Sequence, residues 1–238
     1  MTPSFAEVFR DRTLRVDCTF KGDAKSETVS VDRMVEEGPW AGPLAISIDR
    51  FDNGHYELQV YDVPSNALVY SRGFNCIMSE YATTAPALAG KRRSFRVSIA
   101  IPLPVHPVVL VIQARDRLNV LHPVLERRID PADAKIEHAA PVPGDRVLRL
   151  VASGDPHSKV DLVILAEGYA AAEQEKFRSD AERAVSWLFG VEPYRSRRKD
   201  FNVYGVFRPS PESGVSEPVR HVVKRTALGA SFDALGMP

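Results

Sequence analysis

Two short stretches hold residue types that could do chemistry. The first is Glu167-Gly168-Tyr169, which follows the apolar run "VDLVILA" and precedes a helical pattern. Open α/β sheets bind ligands at the carboxyl ends of their strands, and this junction reads as one. Gly168 permits a tight turn, and the Glu167 carboxylate can bind a cation or orient a substrate. The plain alternative is that Glu167 ends the strand in solvent. The second stretch is "RPSPESGVSEP", where prolines and Gly214 shape a loop after a strand and Glu212, Ser213 and Ser216 can face a cleft. Its plain alternative is a connector. The candidate cleft-lining residues are therefore Glu167, Gly168, Tyr169, Glu212, Ser213 and Gly214.

The remaining catalytic patterns are missing. The histidines are His55, His106, His122, His138, His157 and His221; none begins H-E-x-x-H, and no two lie four apart on a helix. His55-Tyr56-Glu57 falls in a strand and reads as a surface pair, and His106 and His122 each precede a proline. There is no G-x-S-x-G elbow, no phosphate loop and no G-x-G-x-x-G. A hydrolase using Glu167 or Ser213 with His221 has no recognised spacing behind it. No residue is assigned as catalytic or as a metal ligand. Cys18 and Cys76 form no C-x-x-C pair. Cys18 alternates with Leu14, Val16 and Phe20 and reads as a small buried hydrophobe, with pairing to Cys76 left for an oxidising compartment.

The elements that must position these residues fall into two grammars. From about Thr13 to Asp130 the pattern has period two, in "TLRVDCTF", "HYELQVYD", "NALVYSRGF", "SFRVSIAIP", "HPVVLVIQARD" and "LNVLHPVLERRID". Asp52-Asn53-Gly54, Pro64-Ser65-Asn66, Ala89-Gly90 and Asp116-Arg117 mark turns. This spacing predicts an antiparallel β-sandwich over residues 1–130. A helical turn is expected at "VDRMVEEG", and Trp40 is expected as a core anchor, with ligand stacking as the rival role. Residues 131–146 are rich in proline and small residues and read as a linker.

Residues 147–238 read as α/β. "VDLVILA" is expected as a strand buried on both faces. Phe177, Ala181, Ala184, Val185 and Leu188 form one helical stripe, with Glu173 and Glu175 in the first turns. Gly190 is expected as the helix cap, Pro193 blocks continuation, and "DFNVYGVF" is a second strand. Strand, helix, strand makes a βαβ unit with a right-handed crossover. One such unit cannot cover both faces of a parallel sheet, so the α/β domain reads as incomplete. "RSRRKD" reads as a solvated turn.

Composition bounds the partners. Of 238 residues, 44% are hydrophobic, which suits a packed core. Lys plus Arg and Asp plus Glu are both 31, so no net field draws the chain to nucleic acid or an anionic membrane. No run is long and apolar enough to span a bilayer, and no basic-then-apolar leader opens the chain. At face value the compartment is the cytoplasm. The oligomeric state is not legible.

"SGDPHSKVDLVILAEGY", "EKFRSDAER", "FNVYGVFRPSPESGVSEP" and "TALGASFDALG" resemble the start of the catalytic domain of the IgA-peptidase family of bacterial zinc metallopeptidases. "TLRVDCTFKGDAKSETVSVDRMVEEGPWAGP" and "YSRGFNCIMSEYATT" resemble that family's N-terminal domain. The resemblance implies hydrolysis of a peptide or protein substrate by a bound zinc in the full-length protein. It places the zinc-binding H-E-x-x-H helix downstream of "TALGASF", beyond Pro238. It therefore implies an N-terminal portion that holds no zinc and is inactive alone, from a family often secreted or periplasmic. Two positions depart from the family pattern: Glu167 stands where Asp is frequent, and Ala170 stands at a helix N-cap where Thr is usual. The alternative is a non-catalytic β-sandwich that binds a protein or glycan.

Overall fold

A computed structural model describes residues 3–232. The chain divides into two compact units, Met1–Ala139 and Ala140–Pro238.

The first unit is β-rich, as its period-two pattern predicts. After a short helix α1 (Phe5–Val8) come β1 (Phe9–Gly22), β2 (Glu27–Glu36), β3 (Tyr56–Asp62) and β4 (Leu68–Phe74). Two helical turns follow, α2 (Ile77–Tyr81) and α3 (Ala85–Leu88), and then β5 (Arg93–Pro104), β6 (Val108–Arg115), β7 (Leu121–Ile129) and β8 (Ile136–His138). They form two four-stranded sheets, ordered β5-β1-β2-β8 and β4-β3-β6-β7. Leu14, Val16, Cys18 and Phe20 of β1 are fully buried, and with Leu58, Val60, Leu110 and Ile112 they enter one core drawn from both sheets. The alternate residues Arg15, Asp17, Thr19 and Lys21 are polar and face outward. Asp17 accepts hydrogen bonds from Arg33 Nε at 2.7 Å, Ser98 Oγ at 2.7 Å and Arg15 Nε at 3.0 Å. Burial pushes its carboxyl upward, but these donors outweigh burial and hold it below the usual carboxylate range.

Several expectations change here. The helical turn at "VDRMVEEG" is instead the second half of β2. The register with β1 slips between Asp17 and Cys18, which pair with Arg33 and Val31, so Asp32 is the extra residue of a β-bulge. The bulge shifts the phase of burial from Val29 to Met34 and Val35, and that broken alternation resembles a helix in sequence. The segment expected as a linker supplies β8, which adds to β2 in parallel and brings one parallel pair to an otherwise antiparallel sheet. Trp40 is buried in the core, edge-on to Tyr70 at 6.1 Å. Cys18 and Cys76 are both free thiols.

The second unit is a three-stranded sheet ordered β10-β11-β9, from β9 (Arg146–Val151), β10 (Val160–Leu165) and β11 (Phe201–Phe207). β10 pairs with β11 in parallel; β9 is antiparallel and escaped the sequence reading. Helix α4 (Gln174–Leu188) connects β10 to β11 and covers one face of the sheet. Phe177 and Ala181 pack with Leu148 and Phe207, and Val185 packs with Val203. Ala184, expected in the stripe, is exposed, because the covered arc is narrower than the apolar arc. The helix ends at Leu188, and the Gly190 N–H donates to the Trp187 carbonyl at 3.1 Å.

β10 is not buried on both faces as expected. It is an edge strand, and Val163 and Leu165 are 49% and 53% exposed on the face away from α4. One helix shields one face only, so the other side of a strand built for burial stays open. Among the described residues no helix is long and apolar enough to cross a membrane.

Phe20 is fully buried and meets Tyr56 edge-on at 5.1 Å. Phe20→Ala should lower the stability of this core by about 3–5 kcal/mol. Urea unfolding followed by circular dichroism checks this; a loss under about 1 kcal/mol would contradict the assigned core.

Candidate functional site

The carboxyl ends of β10 and β11 lie side by side, and the Ala166 N–H donates to the Val206 carbonyl at 2.9 Å. The two stretches singled out in the sequence meet just beyond. Gly168 (φ +74°) and Gly214 (φ +104°) are both left-handed, and the Gly214 N–H donates to the Gly168 carbonyl at 2.8 Å. A Cβ on Gly168 would lie 2.2 Å from the Gly214 carbonyl oxygen. Glycine is thus required there both by the backbone conformation and by the approach of a second chain segment.

Ser210 ties the junction together and was missed in the sequence, where it is one serine between two prolines. It is 4% exposed. Its N–H donates to the Tyr169 carbonyl at 2.7 Å. Its Oγ accepts from the Gly168 N–H at 3.1 Å and the Ala227 N–H at 3.0 Å.

Glu167 neither ends in open solvent nor stands free. Its carboxylate accepts from the Thr226 hydroxyl, the Leu228 N–H at 2.8 Å and the Ala230 N–H at 2.8 Å. Burial raises its carboxyl, yet the Thr226 hydroxyl and the amides of Ala230, Leu228 and Gly168 prevail and hold it below the usual range. A carboxylate offers about four acceptor positions. Those of Glu167 are directed to the 226–230 loop and its own turn.

The neighbouring groups are likewise engaged. Glu212 accepts from the Arg225 N–H at 2.9 Å, while its own N–H donates to the Arg225 carbonyl at 3.1 Å. Ser213 is bonded to Glu173, whose carboxylate also accepts the Ala170 N–H at 2.7 Å. Glu173 thereby satisfies an amide of the helix entrance, where the Ala170 methyl group has no oxygen to help. The Tyr169 hydroxyl donates to Asp180 at 2.9 Å, and the Lys176 ammonium sits 4.8 Å from the Tyr169 ring centre. Lys176 first, then Tyr169 and Arg183, bring the Asp180 carboxyl down to about 2. Burial and the Asp180 charge raise the Tyr169 phenol, which keeps it a proton donor.

His221 lies exposed at a left-handed position (φ +56°) and makes no hydrogen bond to Glu167 or Ser213 among the described residues. Neither cysteine is disposed to act as a nucleophile: burial, with Asp32 and Asp17, pushes the Cys18 thiol up to about 12, and burial raises Cys76. Among the described residues no three His, Cys, Asp or Glu side chains converge to hold a metal. The arrangement fixes loops at the strand ends; it does not assemble a nucleophile with a base. Of "TALGASFDALG", the part after Phe232 lies outside the described residues.

Residues 4–126 match the family described as Peptidase M64 N-terminus, and residues 148–238 match IgA Peptidase M64. No curated protein shows a significant match to the chain.

Because the Glu167 carboxyl is lowered in the folded state, its stabilisation is complete above the unfolded value of roughly 4.3. It is lost as pH falls through the folded value. Glu167→Gln should lower the urea midpoint of the second unit at pH 7 and flatten its dependence on pH in the acid range. An unchanged midpoint and acid profile would contradict the clasp.

Proposed function

The chain belongs to the IgA peptidase M64 family, and on that premise we propose that it forms the N-terminal part of a zinc-dependent peptidase. In this reading the first unit is the family's β-sandwich domain, and the second opens the α/β catalytic domain around a βαβ unit. The substrate class is a peptide or protein. The observation that carries the proposal is the family match over both units, 4–126 and 148–238. The docking of the Glu167–Tyr169 turn on the 210–214 loop supports it, because it shapes the carboxyl edge of a parallel strand pair, where α/β enzymes place their sites. Cleft lining by Glu167, Gly168, Tyr169, Glu212, Ser213 and Gly214 belongs to this proposal.

The described residues do not fit zinc. His122 pairs with Asp116 at 2.9 Å and His138 lies 3.4 Å from Glu36, while no third ligand joins either pair. No hydrolytic step is therefore assigned to these side chains, and the 238 residues alone should not cleave peptides. Their contribution is positional: the Glu167 carboxylate and Ser210 fix the 226–230 segment against the strand ends.

Protein captured from its source cells with an antibody to this chain should hydrolyse a fluorogenic casein, and a chelator should abolish that turnover. The purified 238-residue chain with added zinc should show none. Chelator-sensitive turnover by the short chain would contradict the positional role. Captured protein of the mass of this chain, without turnover, would favour a binding module.

A further inference from the structure

The first unit contains a cleft of about 660 Å³ beside β4, remote in sequence from the strand-end site. Its inner wall is aromatic, formed by Trp40 and Tyr70, and Phe51 stands 85% exposed at its rim. Trp40 is 8% exposed, and its indole N–H has no hydrogen-bond partner. A buried donor left unpaired is costly, and such groups in native proteins call for an acceptor. Gly42 lies against this edge of the ring. A Cβ there would fall 2.6 Å from the ring carbons Cε2 and Cζ2 and 2.7 Å from Nε1, so only glycine lets the backbone pass this close to the indole.

The cleft holds two guanidinium groups and one carboxylate. Asp49 is its one carboxylate, and both oxygens are engaged by the backbone: Oδ1 by the Phe51 N–H at 2.9 Å and Oδ2 by the Gly73 N–H at 2.7 Å. Asp49 thereby caps the outer edge of β4, together with the Ser47 carbonyl, which accepts the Ser71 N–H at 3.0 Å. Arg50 and Arg72 line the same cleft; neither makes a salt bridge among the described residues, and the Arg72 charge helps to hold the Asp49 carboxyl down. The Arg72 guanidinium lies near enough to the Tyr70 hydroxyl to act on its phenol. The cleft is thus rich in donors, poor in free acceptors and walled by apolar rings.

We propose that this cleft binds the carboxylate of a peptide, with Arg50 and Arg72 pairing the charge, Trp40 Nε1 donating to an oxygen, and the aromatic wall holding an apolar side chain. Guanidinium groups pair with carboxylates by charge-assisted hydrogen bonds. The proposal does not depend on the peptidase assignment. The carboxylate can belong to a chain terminus or to an acidic side chain.

The chain has two tryptophans, and Trp187 is 67% exposed in the other unit. Trp187→Phe leaves Trp40 as the sole indole reporter. Three N-acetylated apolar tripeptides serve as probes: one with a free C-terminal carboxylate, one amidated, and one amidated but carrying a glutamate. Saturable change in Trp40 emission with a carboxylate peptide, at least about tenfold weaker with the neutral amide, supports the site. The free-acid and glutamate peptides then show which source is preferred. Arg72→Gln and Arg50→Gln should each weaken binding by about tenfold while melting like the parent. If Arg72→Gln melts lower, the exposed Arg50→Gln decides. Equal binding of acid and amide, an unmoved Trp40 emission with both carboxylate peptides, or full affinity in both arginine variants would overturn the proposal.

Discussion

The close approach of Gly168 to Gly214 is the constraint on which the strand-end architecture depends. Two left-handed glycines bring separate segments within hydrogen-bonding distance, where a single Cβ would collide with a carbonyl oxygen. Once those backbones meet, Ser210 is enclosed with its hydroxyl aimed at two amides, and Glu167 faces the amides of Leu228 and Ala230. The loop after β11 turns its backbone donors toward the strand ends. An ionised carboxylate satisfies several of them with charge-assisted bonds, and the same bonds keep it ionised. The Glu167 side chain thereby reaches a loop about sixty positions further along.

The first unit meets a different constraint, the protection of sheet edges. β4 carries Asp49 and Ser47 on its outer edge, which removes N–H groups from pairing with another chain. β8 covers β2 at the edge of the other sheet. Among the described residues β10 is paired along one edge only, and its exposed valine and leucine side chains lie on the face that α4 leaves open. Among the described residues the first unit has a core drawn from both of its sheets, and α4 covers one face of the sheet in the second.

Much of this was legible because periodicity reports burial directly. The alternation in "TLRVDCTF" places Leu14, Val16, Cys18 and Phe20 in the core, and the stripe from Phe177 to Val185 finds the covered face of α4. The family resemblance carried by "AEGY" and "RPSPESGVSEP" agrees with the family matched over the chain. The misreadings have local causes. One bulge residue, Asp32, breaks the alternation of β2, and the three-residue β8 is too short for any period. The apolar run of β10 signals intrinsic preference for burial, not how many faces are covered. In the strand-end site, Glu167 and Gly168 stood out by residue type. Ser210 and Thr226 did not, because their roles arise only when segments distant in sequence are brought together.

Glu167 holds the 226–230 loop to the strand ends through backbone amides. Amide hydrogen exchange of the 238-residue chain at pH 7, resolved at Ala227, Leu228 and Ala230, tests it most directly. The account requires these amides to be protected together with Gly214 and to lose protection in Glu167→Gln. Exchange at free-loop rates in the parent protein, or protection unchanged by the substitution, would contradict it.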